Sequence, residues 1–203
     1  CDVLVLLVPQ DFKAGKDELS QLVAQATKAG DLGAKPGQQV GLYRPAQANA
    51  SRVVLVSIGD GSAKPVRGAV LAALGSVKSS LGKKVVLAFA GPAKEASVGA
   101  AVAAAADASY VYTHTKSKPE ARTVQKCLVA ASNAQELGAS FDQAVGVVLG
   151  VELAKEWANR PANHATPTLL AQAAQALAKL PKVSCEVLGP KEVAKLGMGS
   201  CMA

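Results

Sequence analysis

Phenylalanine, tyrosine and tryptophan together make up only 3% of the 203 residues, although half of the chain is hydrophobic. A core so poor in aromatics has to be assembled from Ala, Val and Leu, small side chains that let helices lie close to a sheet. The same shortage removes the stacking platforms by which single-stranded nucleic acids are held. Cysteine is sparse too. Cys1, Cys127, Cys185 and Cys201 are scattered without a CxxC pair, which is neither a zinc-ligand spacing nor a disulfide framework. No stretch approaches the ~20 uninterrupted apolar residues of a membrane span. The chain opens on the strand-like run Val3 to Val8 without a basic leader, so no secretory signal is expected. A cytoplasmic, reduced protein without a membrane partner is the expectation.

Charge of one sign is not concentrated anywhere. The net charge is +7, but residues 1–150 hold 16 Lys/Arg against 11 Asp/Glu, and residues 151–203 hold 6 against 4. No run exceeds the two adjacent lysines Lys83-Lys84. This distribution reads as a solvated surface; DNA contact is permitted by the pI of 9.3 but not favoured.

What is present is an alternation of strand-like and helix-like segments. The run Cys1 to Val8 is continuously apolar after Asp2, the mark of a strand covered on both faces. A helix over 16–29 carries Leu19, Leu22, Val23 and Ala26, with Gly30 as its stop. A short strand follows at Gln39 to Tyr43, and Arg52 to Ile58 (RVVLVSI) is a second buried strand. Beyond the turn Gly59-Asp60-Gly61-Ser62, a helix is expected over 65–80, a strand over Lys83 to Ala90, and an Ala-rich helix over 94–108. Val124 to Ala130 is another strand, and Gly138 marks a break. A long helix over Phe141 to Ala158 presents Val145, Val148, Leu149, Leu153 and Trp157. Thr166 and Pro167 are placed to open a helix running to about Lys179. Val183 to Leu188 is expected as a strand and Pro190 to Leu196 as a short helix. The fold class is therefore α/β, a three-layer, mostly parallel sheet with helices on both faces.

Chemistry is hard to find. The turn Gly59 to Lys64 follows a strand and precedes a helix, where backbone N–H groups could face a phosphate. A dinucleotide fingerprint would want a third glycine where Lys64 stands, so a plain strand-to-helix turn is the better reading. His114 and His164 have no second ligand at metal spacing, and no G-x-S-x-G elbow occurs. Glu186 and Glu192 are single and solvated. No catalytic, metal-binding or cofactor-binding residue is assigned in this chain.

One stretch is far more specific. From Gly150 to Pro167 the sequence GVELAKEWANRPANHATP contains N-x-P-x-N-x-x-T-P as Asn159, Pro161, Asn163, Thr166 and Pro167. It closely resembles the leucyl aminopeptidase (cytosol aminopeptidase) family. Leu169, Leu170, Ala171 and Leu177, then Val183 to Leu188, then Leu196-Gly197-Met198-Gly199-Ser200 follow in the family's order. Lys116-Ser117-Lys118-Pro119 is a weaker echo of a lysine-rich loop late in the family's N-terminal domain.

The resemblance implies a macro-domain-like N-terminal domain over 1–140, a connecting helix and Pro-rich loop over 141–165, and the incomplete beginning of a catalytic domain over 166–203. It implies a parent enzyme that removes N-terminal residues from peptides with two divalent metals, zinc or manganese, and that assembles as a homohexamer. The family's metal ligands lie in a G-K-G-x-x-F-D-S-G-G-like and an N-T-D-A-E-G-R-like stretch, and neither string occurs here. This chain alone is thus expected to hold no metal and cleave no peptide. The alternatives are an ADP-ribose-type nucleotide site at the Gly59 to Lys64 turn and a DNA-binding accessory domain.

Overall fold

The computed structural model describes residues 1–78 and 82–201. Two compact units are distinguished, Cys1–Lys155 and a second that begins at Glu156.

The first unit is built on a five-stranded sheet. β1 (Val3–Val8) and β3 (Arg52–Ser57) are the apolar runs anticipated above, and every residue of β1 is buried. Around them lie β2 (Gln39–Tyr43), β4 (Lys84–Phe89) and β5 (Lys126–Ala130), in the order β2-β3-β1-β4-β5. All pairs are parallel except β2–β3, where Val40 faces Leu55 and Leu42 faces Val53 in antiparallel register. Parallel strands need cover on both faces, and alternation along the strands divides the core accordingly.

Val3, Val5 and Leu7 of β1 join Val54, Val56, Val85 and Leu87 on one face. They pack against α2 (Ala63–Ser76) through Val66 and Val70, and against α3 (Glu95–Ser109) through Val98 and Ala101. Leu4, Leu6, Val8, Val53 and Leu55 point the other way, onto Val23 of α1 (Glu18–Ala29) and onto Leu32. α1 starts where Asp17 accepts the N–H of Ser20 at 2.9 Å and stops where Gly30 turns left-handed at φ +83°. The expected helix over 65–80 is α2; positions 79 and 80 lie outside the described residues.

Two expectations need correction. Gly138 does not break the chain: a 3₁₀ turn at Ala134–Leu137 runs straight into α4 (Gly138–Ala158), with Gly138 itself at φ −55°, ψ −50°. A helical glycine costs only about 1 kcal/mol, so its presence alone cannot mark a stop. The stretch Val183 to Leu188 is not a strand. A ladder needs a partner, and this segment has none among the described residues.

α4 is also more exposed than its apolar residues suggested. Ala144 is its one buried residue; Val145 and Val148 are half-buried, while Leu149 is 64% exposed. The helical stretch Ala134–Ala158 is long and apolar enough, by length and composition alone, to cross a membrane, despite the lack of an unbroken apolar run.

In the second unit Thr166 caps α5 (Pro167–Leu177) by accepting the N–H of Leu169 at 3.4 Å, with Pro167 in the first turn. α6 (Pro190–Lys195) follows. Neither helix has a buried residue.

Candidate functional site

The carboxyl ends of the parallel strands are where an open α/β sheet ordinarily binds ligands. Here β3 passes into α2 through Gly59 and Gly61, at φ +56° and +65°. A side chain at Gly59 would also collide with Pro36, whose Cγ lies 2.7 Å from the place a Cβ would occupy.

The turn satisfies its own polar groups. The Asp60 carboxylate accepts the Ser62 N–H at 2.9 Å and the Ser62 hydroxyl at 2.7 Å. Those two bonds, the backbone one first, hold Asp60 below the usual carboxylate range. Lys94 Nζ donates to the Asp60 carbonyl at 2.8 Å, and the Ser97 hydroxyl donates to the Gly61 carbonyl. A cavity of about 270 Å³ beside the turn is lined by Leu7, Ile58, Phe89, Asp11, Asp60 and Lys94 among others. Two carboxylates at this rim oppose a phosphate, and Lys64 is exposed on the first turn of α2.

A larger groove, about 550 Å³, runs between α3, β5 and α4. Its walls are mainly apolar (Val102, Ala105, Val129, Phe141, Val145 and Val148), with Arg122 among the few polar groups. Arg122 donates to Ser109 Oγ at 2.7 Å and pairs with Glu152 at 2.9 Å. Cys127 belongs to the exposed sheet edge but lines this groove, and burial pushes its thiol up to about 11 against the opposing effect of Arg122. A shift in this direction makes the thiol less reactive than an ordinary cysteine.

Sequence reasoning missed a second ionic centre. Asp107 on α3 pairs with Arg67 on α2 and Lys155 on α4. The Lys155 hydrogen bond, and after it the one from Arg67, hold Asp107 below the ordinary carboxylate range against the opposing pull of burial. Its partners lie 40 and 48 residues away in the chain, so no local pattern announces it. The centre ties three helices together.

His114 is exposed in a turn, and His164 ends a 3₁₀ turn, Ala162–His164, whose backbone N–H bonds to Pro161 at 2.8 Å. Within the second unit, Asn159, Pro161, Asn163, Thr166 and Pro167 form the joint between α4 and α5. Arg160 stacks on the Trp157 ring at 4.0 Å there. No group of three or more His, Cys, Asp or Glu side chains converges among the described residues. The residues present therefore do not fit a two-metal centre, which requires several such donors around each ion.

Residues 6–119 match the profile of the N-terminal domain of the cytosol aminopeptidase family. The chain is 56% identical over its full length to a probable cytosol aminopeptidase of Albidiferax ferrireducens, of which it covers 42%. It is 52% identical to one of an Acidovorax species, of which it covers 41%. It thus spans about two fifths of the curated relatives it matches. Among solved structures, a tomato leucine aminopeptidase mutant superposes with a TM-score of 0.73 at 23% identity, over 97% of this chain and 43% of that one. The bottromycin maturation enzyme BotP in complex with Mn gives 0.70 at 20% identity, over 97% and 40%. At those identities the two structures speak for the fold.

Proposed function

This chain belongs to the cytosol aminopeptidase family, whose N-terminal domain it carries, and we propose that it serves as the assembly and shielding part of a two-metal leucyl-type aminopeptidase. In this reading residues 1–140 are the macro-domain-like N-terminal domain, 141–165 the connecting helix and Pro-rich loop, and 166–203 the first elements of a catalytic domain. The parent removes N-terminal residues from peptides in the cytoplasm as a homohexamer. Two zinc or manganese ions supply the polarisation of the scissile carbonyl and the activation of water. Those ions are held by residues outside this chain, which by itself binds no catalytic metal and is inactive.

The observation that carries the proposal is the similarity of the whole chain to relatives more than twice its length. The second unit adds support. Leu169, Leu170, Leu177 and Leu180 are exposed there, an arrangement suited to burial under further polypeptide. The alternative, an ADP-ribose-type nucleotide at the Gly59 to Lys64 turn, has less behind it. That turn already pairs its polar groups internally and presents Asp11 and Asp60 to an incoming phosphate. DNA contact rests on the basic pI alone.

The test is hydrolysis of leucine p-nitroanilide with added manganese, by this chain and by a version extended through the rest of the reading frame. The extended protein should turn over and the 203-residue chain should not. Activity in the short chain, or none in the long one, would refute the assignment.

A further inference from the structure

β2 is the outermost strand on its side of the sheet, so one row of its backbone groups faces no neighbouring strand. The register with β3 says which row. At the two ends of the ladder, the Ser57 N–H donates to the Gln38 carbonyl at 2.9 Å and the Arg44 N–H to the Ser51 carbonyl at 3.2 Å. Bonded pairs in an antiparallel ladder recur at every second residue, so Val40 and Leu42 make the bonds to Leu55 and Val53. Gln39, Gly41 and Tyr43 therefore turn their N–H and C=O groups outward, along the free edge.

Two features set this edge apart. Exposed edges are ordinarily blunted by charge or proline, yet Gln39–Tyr43 holds neither, whereas β5, the opposite edge, opens on Lys126. The second feature is Gly41. Glycine weakens the interior of a strand and marks a bulge or the close approach of another backbone. The register runs unbroken through Gly41, so it is no bulge. Its φ is not positive, and a Cβ placed there would meet nothing within 4 Å. Nothing inside this chain asks for glycine in the middle of β2; a backbone arriving from outside does.

The order of residues along the edge selects the occupant. An antiparallel copy of β2, related by a two-fold axis through Gly41, sets Gly41 opposite Gly41 and Gln39 opposite Tyr43. Every outward N–H and C=O of one copy then meets its complement on the other. Val40 falls opposite Leu42 of the second copy, which extends the apolar face that both residues already share with Val53 and Leu55. Just beyond the strand Arg44 stands opposite Gln38, so no like charges are directly opposed. The space over Gly41 is open to the Tyr43 ring, which is 75% exposed and has the Arg52 guanidinium 3.3 Å from its centroid.

The geometry points to the free edge of β2 as a self-association surface, where two copies of this chain pair antiparallel about Gly41 and join their sheets into one. The inference goes beyond the aminopeptidase reading and does not rest on it. Strands of five residues pair over only about 17 Å, which buries less than the roughly 1,200–2,000 Å² of a stable interface. The dimer is therefore weak and forms at high concentration.

The experiment is sedimentation velocity on the 203-residue chain at concentrations up to roughly millimolar. The wild type should move reversibly from monomer toward dimer. Gly41→Lys and Gly41→Glu each set like charges against one another at the axis, and each should associate about tenfold more weakly or worse. An equimolar mixture of the two should recover association, because Lys then opposes Glu. Both variants should keep the wild-type melting temperature, given the open space at Gly41. If either is destabilised, amide exchange of the wild type decides instead. Protection at Gln39, Gly41 and Tyr43 should rise with concentration, while Val40 and Leu42, already bonded to β3, stay unchanged. A wild type that is monomeric throughout, single variants that associate as it does, a mixture that recovers nothing, or equal protection of those amides by an unrelated extended peptide would overturn the proposal.

Discussion

At Asp107 one carboxylate holds two cations from two other helices, and the consequence can be read in pH. Its pKa is lowered in the folded chain, so its contribution is complete above the unfolded value of about 3.9 and is lost as pH falls through the lower folded value. Asp107→Asn should therefore lower the melting temperature at pH 7, by the equivalent of roughly 1 kcal/mol for partly exposed pairs. The gap between wild type and variant should narrow below about pH 4. Calorimetry across that range checks both the size and the sign. Leu7 gives a larger effect for a different reason: it is fully buried between the central strands and their helices. Leu7→Ala should cost about 2–5 kcal/mol, the transfer of its methyl groups plus the cavity left behind, measured by urea unfolding. Gly59→Ala should destabilise as well, since its positive φ and the contact with Pro36 act together.

Among the elements, α5 depends on its first residue more than on its packing, because no residue of it is buried. Thr166→Ala removes the cap and should cost that helix about 1 kcal/mol. Faster amide exchange confined to residues 167–171 would show it. The strands and helices of the first unit were largely legible in the sequence, for a plain reason. β1 and β3 are apolar at successive positions and β4 at most of them, and runs of this length bounded by turn residues suit the strands of a largely covered parallel sheet. The stretch Val183 to Leu188 looks similar on paper, but composition cannot say whether a partner strand is within reach. Gly138 misled because glycine is equally compatible with a break and with a helix. The Asp107 centre was invisible, since it depends on side chains forty or more positions apart meeting in space.

Considered whole, the molecule divides its stability unevenly. The residues of both apolar clusters lie within the first unit, while α5 and α6 of the second have no buried residue. Limited proteolysis should therefore cut first beyond residue 156 and leave a resistant fragment of the first unit, identified by its mass. Equal resistance of both units would contradict this division.

Alanine accounts for much of how the first unit closes. Ala69 and Ala73 of α2, with Ala101 and Ala104 of α3, are wholly inaccessible to solvent within one cluster. At these four positions the essential property is the volume a side chain does not occupy. Larger residues have no rotamer to retreat into and would force the helices apart. A randomised library at these sites, selected for solubility, should return little besides Ala, Gly and Ser. Its neighbours Val102 and Ala103, which retain some solvent access, should accept a broader alphabet.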